Sequence, residues 1–189
     1  MDEAVEALRP LTAGGSPNPA AMLAELLTRH GRVDEAIAVL RPVAVSMGGD
    51  GWLVRMLWTP LADQGRVDEA LTLIDDLAER AGGMSTELFV ERILLLACCG
   101  RFDQAIVELR NHREADTWYL VGYLADVLAD AGRLDEAVAV LSSPDHHAVH
   151  ATALATLLIR QGRVAEAVEI LHNRVLLPNP DGPWALQTS

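Results

Sequence analysis

The chain has 189 residues, a net charge of −12 and a sequence pI near 4.8, and half of its residues are hydrophobic. It has no basic run or stripe, which argues against nucleic-acid binding and against attraction to an anionic membrane surface. Aromatic residues make up only 4%, so we expect a core of small aliphatic side chains, which favours closely packed helices over sheets.

The N-terminal segment predicts one helix without a partner. DEAVEALRP at residues 2–10 matches DEAIAVLRP at residues 34–42, which is the second half of a later helix pair. Its apolar residues Val5, Leu8 and Leu11 predict an uncovered face. We expect copies of the chain to associate there, although two alternatives remain open. The chain could be part of a longer repeat array, or Trp184 and Leu186 could cover an end.

A six-residue phrase predicts the turns of the fold. GRVDEA occurs at residues 31–36 and again at 65–70, and variants begin at three further glycines. Glycine tolerates the left-handed backbone that ends a helix, and acids such as Asp34 and Glu35 favour the first turn of the next helix. The five predicted turns lie at Gly31, Gly65, Gly100, Gly132 and Gly162, with spacings of 34, 35, 32 and 30 residues.

Apolar residues at helical spacing lie on both sides of each turn. Leu23, Ala24 and Leu27 precede Gly31, while Ala36 and Leu40 follow it, and the same pattern recurs at the other turns. The pattern resembles the tetratricopeptide repeat. The resemblance implies an all-α, right-handed superhelix of about five helical hairpins plus the N-terminal helix. It would cover residues 1–177, and a proline-rich tail would follow at 178–189.

The second hairpin departs from this pattern at Trp58 and Pro60. Trp58 stands where other repeats have alanine, and Pro60 lies inside the predicted helix, so we expect a kink near residues 56–60. The interpretation we favour is that Trp58 fills the space that the kink opens. The alternative is a wider groove in which Trp52 or Trp58 is exposed.

The resemblance also implies a binding surface, because the first helix of each hairpin lines the concave face in that family. Tryptophan, tyrosine and arginine commonly anchor interfaces. The predicted partner-binding residues are Trp52, Arg55, Thr59, Tyr119, Tyr123 and Asp126. The predicted function is a non-catalytic scaffold that binds a cationic or neutral polypeptide. The alternative is a regulatory domain that binds a small molecule, which a deep pocket beside Trp52 and Trp58 would favour.

Catalytic and metal-binding patterns are weak. There is no Ser–His–Asp order, phosphate-binding glycine loop or Cys-x-x-Cys motif, so we predict neither an enzyme nor a cofactor. His146 and His150 have the spacing of a helical metal chelate, but no second acidic motif accompanies them, and we predict no metal. The neighbouring Cys98 and Cys99 cannot staple distant segments, and no signal-like start or membrane-spanning run is present. These features predict a cytoplasmic protein.

Overall fold

The computed structural model describes residues 17–143 and 149–176, and the side chains up to residue 172. These residues form ten α-helices and no strand, which confirms the predicted all-α class. The helices are α1 (Pro17–Arg29), α2 (Val33–Ser46), α3 (Gly51–Asp63), α4 (Val67–Arg80), α5 (Thr86–Cys98), α6 (Phe102–Asn111), α7 (Trp118–Asp130), α8 (Leu134–Leu141), α9 (Ala151–Arg160) and α10 (Val164–Leu176). None of them has both the length and the apolarity that a membrane crossing requires.

A glycine with positive φ separates the helices at each predicted turn. The five turn glycines have φ between 72° and 77°. At the first turn, Gly31 N donates to Thr28 O and Arg32 N donates to Leu27 O, both at 2.9 Å. These two bonds satisfy carbonyls that the end of α1 leaves without a helical partner, so the glycine both ends one helix and allows the next to start two residues later.

The first compact unit extends to Arg101 and contains α1 to α5. Within it α1 packs against α2, α3 packs against α4, and α5 packs against both α3 and α4. The core consists of fully buried aliphatic side chains, among them Leu23, Leu40, Leu57, Ile74 and Leu95. Because α1, α3 and α5 are the first helices of successive hairpins, they lie side by side on one face of the unit.

The second compact unit begins at Phe102 and contains α6 to α10. Helix α7 packs against α6 and α8, and α9 packs against α8 and α10. Its core is again aliphatic, with Leu109, Leu128, Leu141 and Leu154 all buried. Pairwise packing of consecutive helices therefore builds both units from the same repeat.

The turn phrase also connects consecutive repeats through an ion-pair ladder. Arg66 pairs with Glu69 three residues later and with Asp34 of the preceding turn, both at 2.7 Å. Arg101 likewise reaches Asp68 at 2.7 Å, and its hydrogen bond lowers the pKa of that carboxyl. Exposed ion pairs of this kind individually contribute little to stability. Repetition of the phrase therefore reflects the stacking of neighbours as well as the chemistry of one turn.

One described helix face is left uncovered. Val164, Val168 and Leu171 form an exposed apolar stripe on α10. Val168 is 59% exposed, whereas Leu71, at the same place in an earlier repeat, is 7% exposed. The residues predicted for self-association, Val5, Leu8 and Leu11, lie outside the described residues, as does the tail at 178–189.

Candidate functional site

Two adjoining hollows lie on the face that α1, α3 and α5 form in the first unit. The first has a volume of about 520 Å³ and is lined by Asp50, Gly51, Trp52, Arg55, Met56, Glu87 and Glu91. The second has a volume of about 260 Å³ and is lined by Glu25, Thr28, Arg29, Arg55, Met56, Thr59, Pro60 and Asp63. Both hollows are lined by Arg55 and Met56 and therefore adjoin, and together they are hereafter called the cleft.

A buried carboxylate organises the centre of the cleft. Glu91 on α5 is only 4% exposed and is the one buried charged residue in the described part of the chain. Its carboxylate accepts hydrogen bonds from Arg55 Nε at 3.1 Å, Arg55 Nη2 at 2.6 Å and Trp58 Nε1 at 2.9 Å. A buried carboxylate needs such partners, and a bidentate arginine is among the strongest available. These bonds join α3 to α5 across the cleft floor.

The two tryptophans of α3 have different environments. Trp58 is buried, while Trp52 is 43% exposed and lines the first hollow. The kink near residues 56–60 stays a prediction. Helix α3 continues through Pro60 to Asp63, and Pro60 borders the second hollow. The indole N–H of Trp58 bonds to Glu91, a contact that spacing within α3 could not reveal.

The cleft is negatively charged once its internal pairs are taken into account. Arg29 pairs with Glu25 and Arg55 pairs with Glu91. Asp50 accepts a hydrogen bond from Trp52 N at 3.3 Å, at the start of α3. Among the described residues, Asp50, Glu87 and Asp63 make no ion pair, although all three line the cleft. The uncompensated charge there is therefore acidic.

The other predicted binding residues lie on α7 in the second unit. Tyr119 is half-buried, and its hydroxyl donates to Glu114 Oε2 at 2.9 Å. Its ring packs edge-to-face against the exposed Trp118, with 5.9 Å between the ring centres. Tyr123 is half-buried and Asp126 is exposed. Partial burial and the nearby Asp130 raise the pKa of Asp126, and His150 partly offsets this effect.

His150 packs against α7 beside Gly122. Its Nε2 lies 2.7 Å from the carbonyl oxygen of Trp118, so this nitrogen donates to the carbonyl. A Cβ at Gly122 would come within 3.2 Å of the imidazole Cε1, which is a tight contact, so glycine lets the imidazole lie close to α7. The histidine is thus engaged in packing. The other half of the predicted chelate, His146, lies outside the described residues.

The structure brings Trp52, Arg55 and Thr59 together in the cleft, whereas Tyr119, Tyr123 and Asp126 belong to the second unit. A separate hollow of about 670 Å³ in that unit is lined by other residues, including Arg110, Val121 and Val140. The sequence interpretation missed Glu91. The available signal was a single acid inside the apolar run LFVERILLL, at residues 88–96.

Neither metal binding nor thiol chemistry gains support in the described ranges. Within them, no three His, Cys, Asp or Glu side chains are grouped so as to hold a metal ion. Burial and the adjacent Cys98 raise the pKa of Cys99, which disfavours the reactive thiolate.

The glycine-separated helices and their pairwise packing define a helical-hairpin repeat protein. Comparison with known families matches the tetratricopeptide repeat at residues 17–42, 119–142 and 148–173. The matched segments and the helical-hairpin fold are those of tetratricopeptide repeats, and proteins with these repeats mediate protein–protein interactions. No curated protein matches the chain.

Several solved structures are similar. MamA from MSR-1 is 20% identical, with 80% of this chain and 90% of that chain covered and a TM-score of 0.44. A putative kinesin light chain of Podosopora anserina with TPR-like repeats is 17% identical, with 84% and 92% covered and a TM-score of 0.48. YrrB, described as a TPR protein with an unusual peptide-binding site, is 18% identical, with 90% and 92% covered and a TM-score of 0.43.

Proposed function

We propose that this protein is a non-catalytic interaction module and that the cleft of its first unit binds a polypeptide segment of basic or neutral charge. The observation that carries the proposal is that two adjoining hollows on one face share Arg55 and Met56 in their linings. Adjoining hollows along three helices suit an extended chain better than a compact ligand.

The side chains of the cleft support this role. Trp52, Arg55 and Met56 are of the types that are enriched in protein interfaces, and Trp52 is 43% exposed. The unpaired carboxylates of Asp50, Glu87 and Asp63 favour a partner without net negative charge. Binding of a small molecule remains the alternative function, but Trp58 is buried and lines neither hollow, so a deep pocket between Trp52 and Trp58 has no support.

A synthetic peptide array of graded net charge tests the proposal. Peptides that bind should be basic or neutral. Trp52→Ala should lower their affinity about 30-fold or more, as expected for an interface anchor. Met47→Ala is the matched control, because Met47 is 46% exposed in the same unit and lies outside both hollows. Equal effects of the two variants, or preferential capture of acidic peptides, would contradict the proposal.

Tyr119, Tyr123 and Asp126 are proposed as a second contact surface on α7. Tyr123→Ala on the same array tests it separately, since unchanged capture would exclude a contact there.

The predicted self-association through Val5, Leu8 and Leu11 also stays a proposal. Light scattering of the full chain and of its Leu8→Glu variant tests it, because the substitution should dissociate any dimer and lower the measured mass to that of a monomer. The cytoplasmic location remains a prediction from the sequence.

A further inference from the structure

Arg55 lies where the two hollows of the cleft meet, so its charge acts on any segment that spans them. Its side chain is half exposed, whereas its partner Glu91 is buried. Glu91 is itself held by Trp58, through the hydrogen bond at 2.9 Å. The acid is therefore fixed by the core, and it holds the arginine at the surface of the cleft.

An arginine in such a groove is suited to bind carboxylates, because its planar guanidinium offers paired donors. Here two of its nitrogens, Nε and Nη2, already donate to Glu91, and the two charges compensate each other. Gly51 borders this pair in the first hollow, and a Cβ there would come into van der Waals contact with Glu91 Oε1, at 3.4 Å. The sign of the charge presented by the cleft then depends on Asp50, Glu87 and Asp63.

The pair is more than a means of satisfying the indole N–H of Trp58. That N–H needs one acceptor oxygen, yet both oxygens of Glu91 also receive bonds from Arg55. The network is also not part of every repeat. The equivalent positions in the second unit, counted from the turn glycines, are Gly122, Ala125 and Ala153. There α8 packs against both α7 and α9, whereas α7 and α9 pack less closely against each other than α3 and α5 do.

We propose that Glu91 determines the charge specificity of the cleft, by neutralising Arg55 so that the first hollow accepts an arginine or lysine side chain of a basic partner segment beside Trp52. The inference rests on the proposed function of the cleft. Trp52 is 43% exposed in this hollow, and a cation placed over its ring gains from the ring quadrupole, while Asp50 and Glu87 supply the opposing charge. Glu91 acts through Arg55 and is thus a positioning residue.

Fluorescence anisotropy with two labelled peptides of equal length, an Arg-Gly-Ser repeat and a Glu-Gly-Ser repeat, tests the inference. The wild-type protein should bind the basic peptide and reject the acidic one. Glu91→Gln keeps an oxygen acceptor for Trp58 but removes the charge, so affinity for the basic peptide should fall about tenfold and the acidic peptide should begin to bind. Glu79→Gln, which removes an exposed carboxylate on α4 outside the cleft, should change neither affinity.

The double variant Arg55→Gln with Glu91→Gln removes both charges and should restore the wild-type preference, even if Glu91→Gln alone folds poorly. The inference is overturned if Glu91→Gln retains full selectivity, if Glu79→Gln has the same effect, or if the double variant keeps the altered preference. Those results leave the proposed function intact. If instead the wild-type protein binds no peptide with sensitivity to Trp52→Ala, the proposed function itself fails.

Discussion

The same place in the repeat is built in two different ways in the two units. In the first unit it holds Arg55, Trp58 and Glu91, joined by three hydrogen bonds. In the second unit the equivalent residues, again counted from the turn glycines, are Gly122, Ala125 and Ala153. Trp58 and Ala125 are both buried, so the backbone of the repeat accepts either the largest side chain or one of the smallest.

The difference shows which interactions the fold needs and which it only tolerates. Packing of α7 with its neighbours relies on small residues and on His150, which fills the space over Gly122. Packing of α3 against α5 instead includes a buried charge, which is weak evidence for stability because desolvation opposes the gain from pairing. A polar network that is present in one unit and absent from the equivalent place in the other is a better candidate for function than a shared core residue.

The largest expected effect on stability comes from replacing Trp58, the buried tryptophan that distinguishes the first unit from the second. Trp58→Ala should lower the free energy of unfolding by about 3–5 kcal/mol, because it leaves a cavity in a buried position. Urea denaturation followed by far-UV circular dichroism measures this. Trp118→Ala, at an exposed tryptophan, should change it by less than about 0.5 kcal/mol. Similar losses for both variants would show that Trp58 is not a core residue.

An intermediate effect on stability is expected when residues of the first unit are introduced at the equivalent positions of the second. Ala125→Trp should destabilise by about 1–3 kcal/mol through overpacking, and its indole N–H would lack the acceptor that Glu91 provides in the first unit. Adding Ala153→Glu should recover part of the loss, which a double-mutant cycle measures as a favourable coupling. If the effects of the two substitutions on stability were simply additive, the side chains introduced at residues 125 and 153 would not contact each other as Trp58 and Glu91 do.

The smallest effect concerns Asp126, whose equivalent in the first unit is the uncharged Thr59. A carboxyl whose pKa is raised on folding retains its proton better in the folded state, so stability is lost as pH rises from the ordinary value near 3.8 through the folded pKa. Asp126→Asn should therefore stabilise at neutral pH, by less than about 0.5 kcal/mol because the group is exposed, and should have little effect below pH 3.8. Thermal melts against pH check this, with Asp116→Asn as the exposed control. A stabilisation that persists at acidic pH would contradict the assignment.

Much of the fold could be predicted because its signals are local. A glycine at positive φ, acids in the following first turn and apolar residues three or four positions apart specify helix, turn and helix within a few residues of chain. The positions of Trp52, Arg55 and Thr59 on one helix could be predicted for the same reason. The ion pairs from Arg66 to Asp34 and from Arg101 to Asp68 could not, because they join residues 32 and 33 positions apart.

The sequence by itself determined the helical-hairpin architecture, the turn positions and the acidic character of the chain, since each depends on composition or on short-range spacing. Only the tertiary structure decided that Glu91 on α5 is buried, that it pairs with Arg55 and Trp58 on α3, and that Trp52 rather than Trp58 is exposed. Burial and charge compensation depend on what a neighbouring helix places opposite a side chain. Along the chain these partners are more than 30 residues apart, and stacking of the repeats brings them within hydrogen-bond distance.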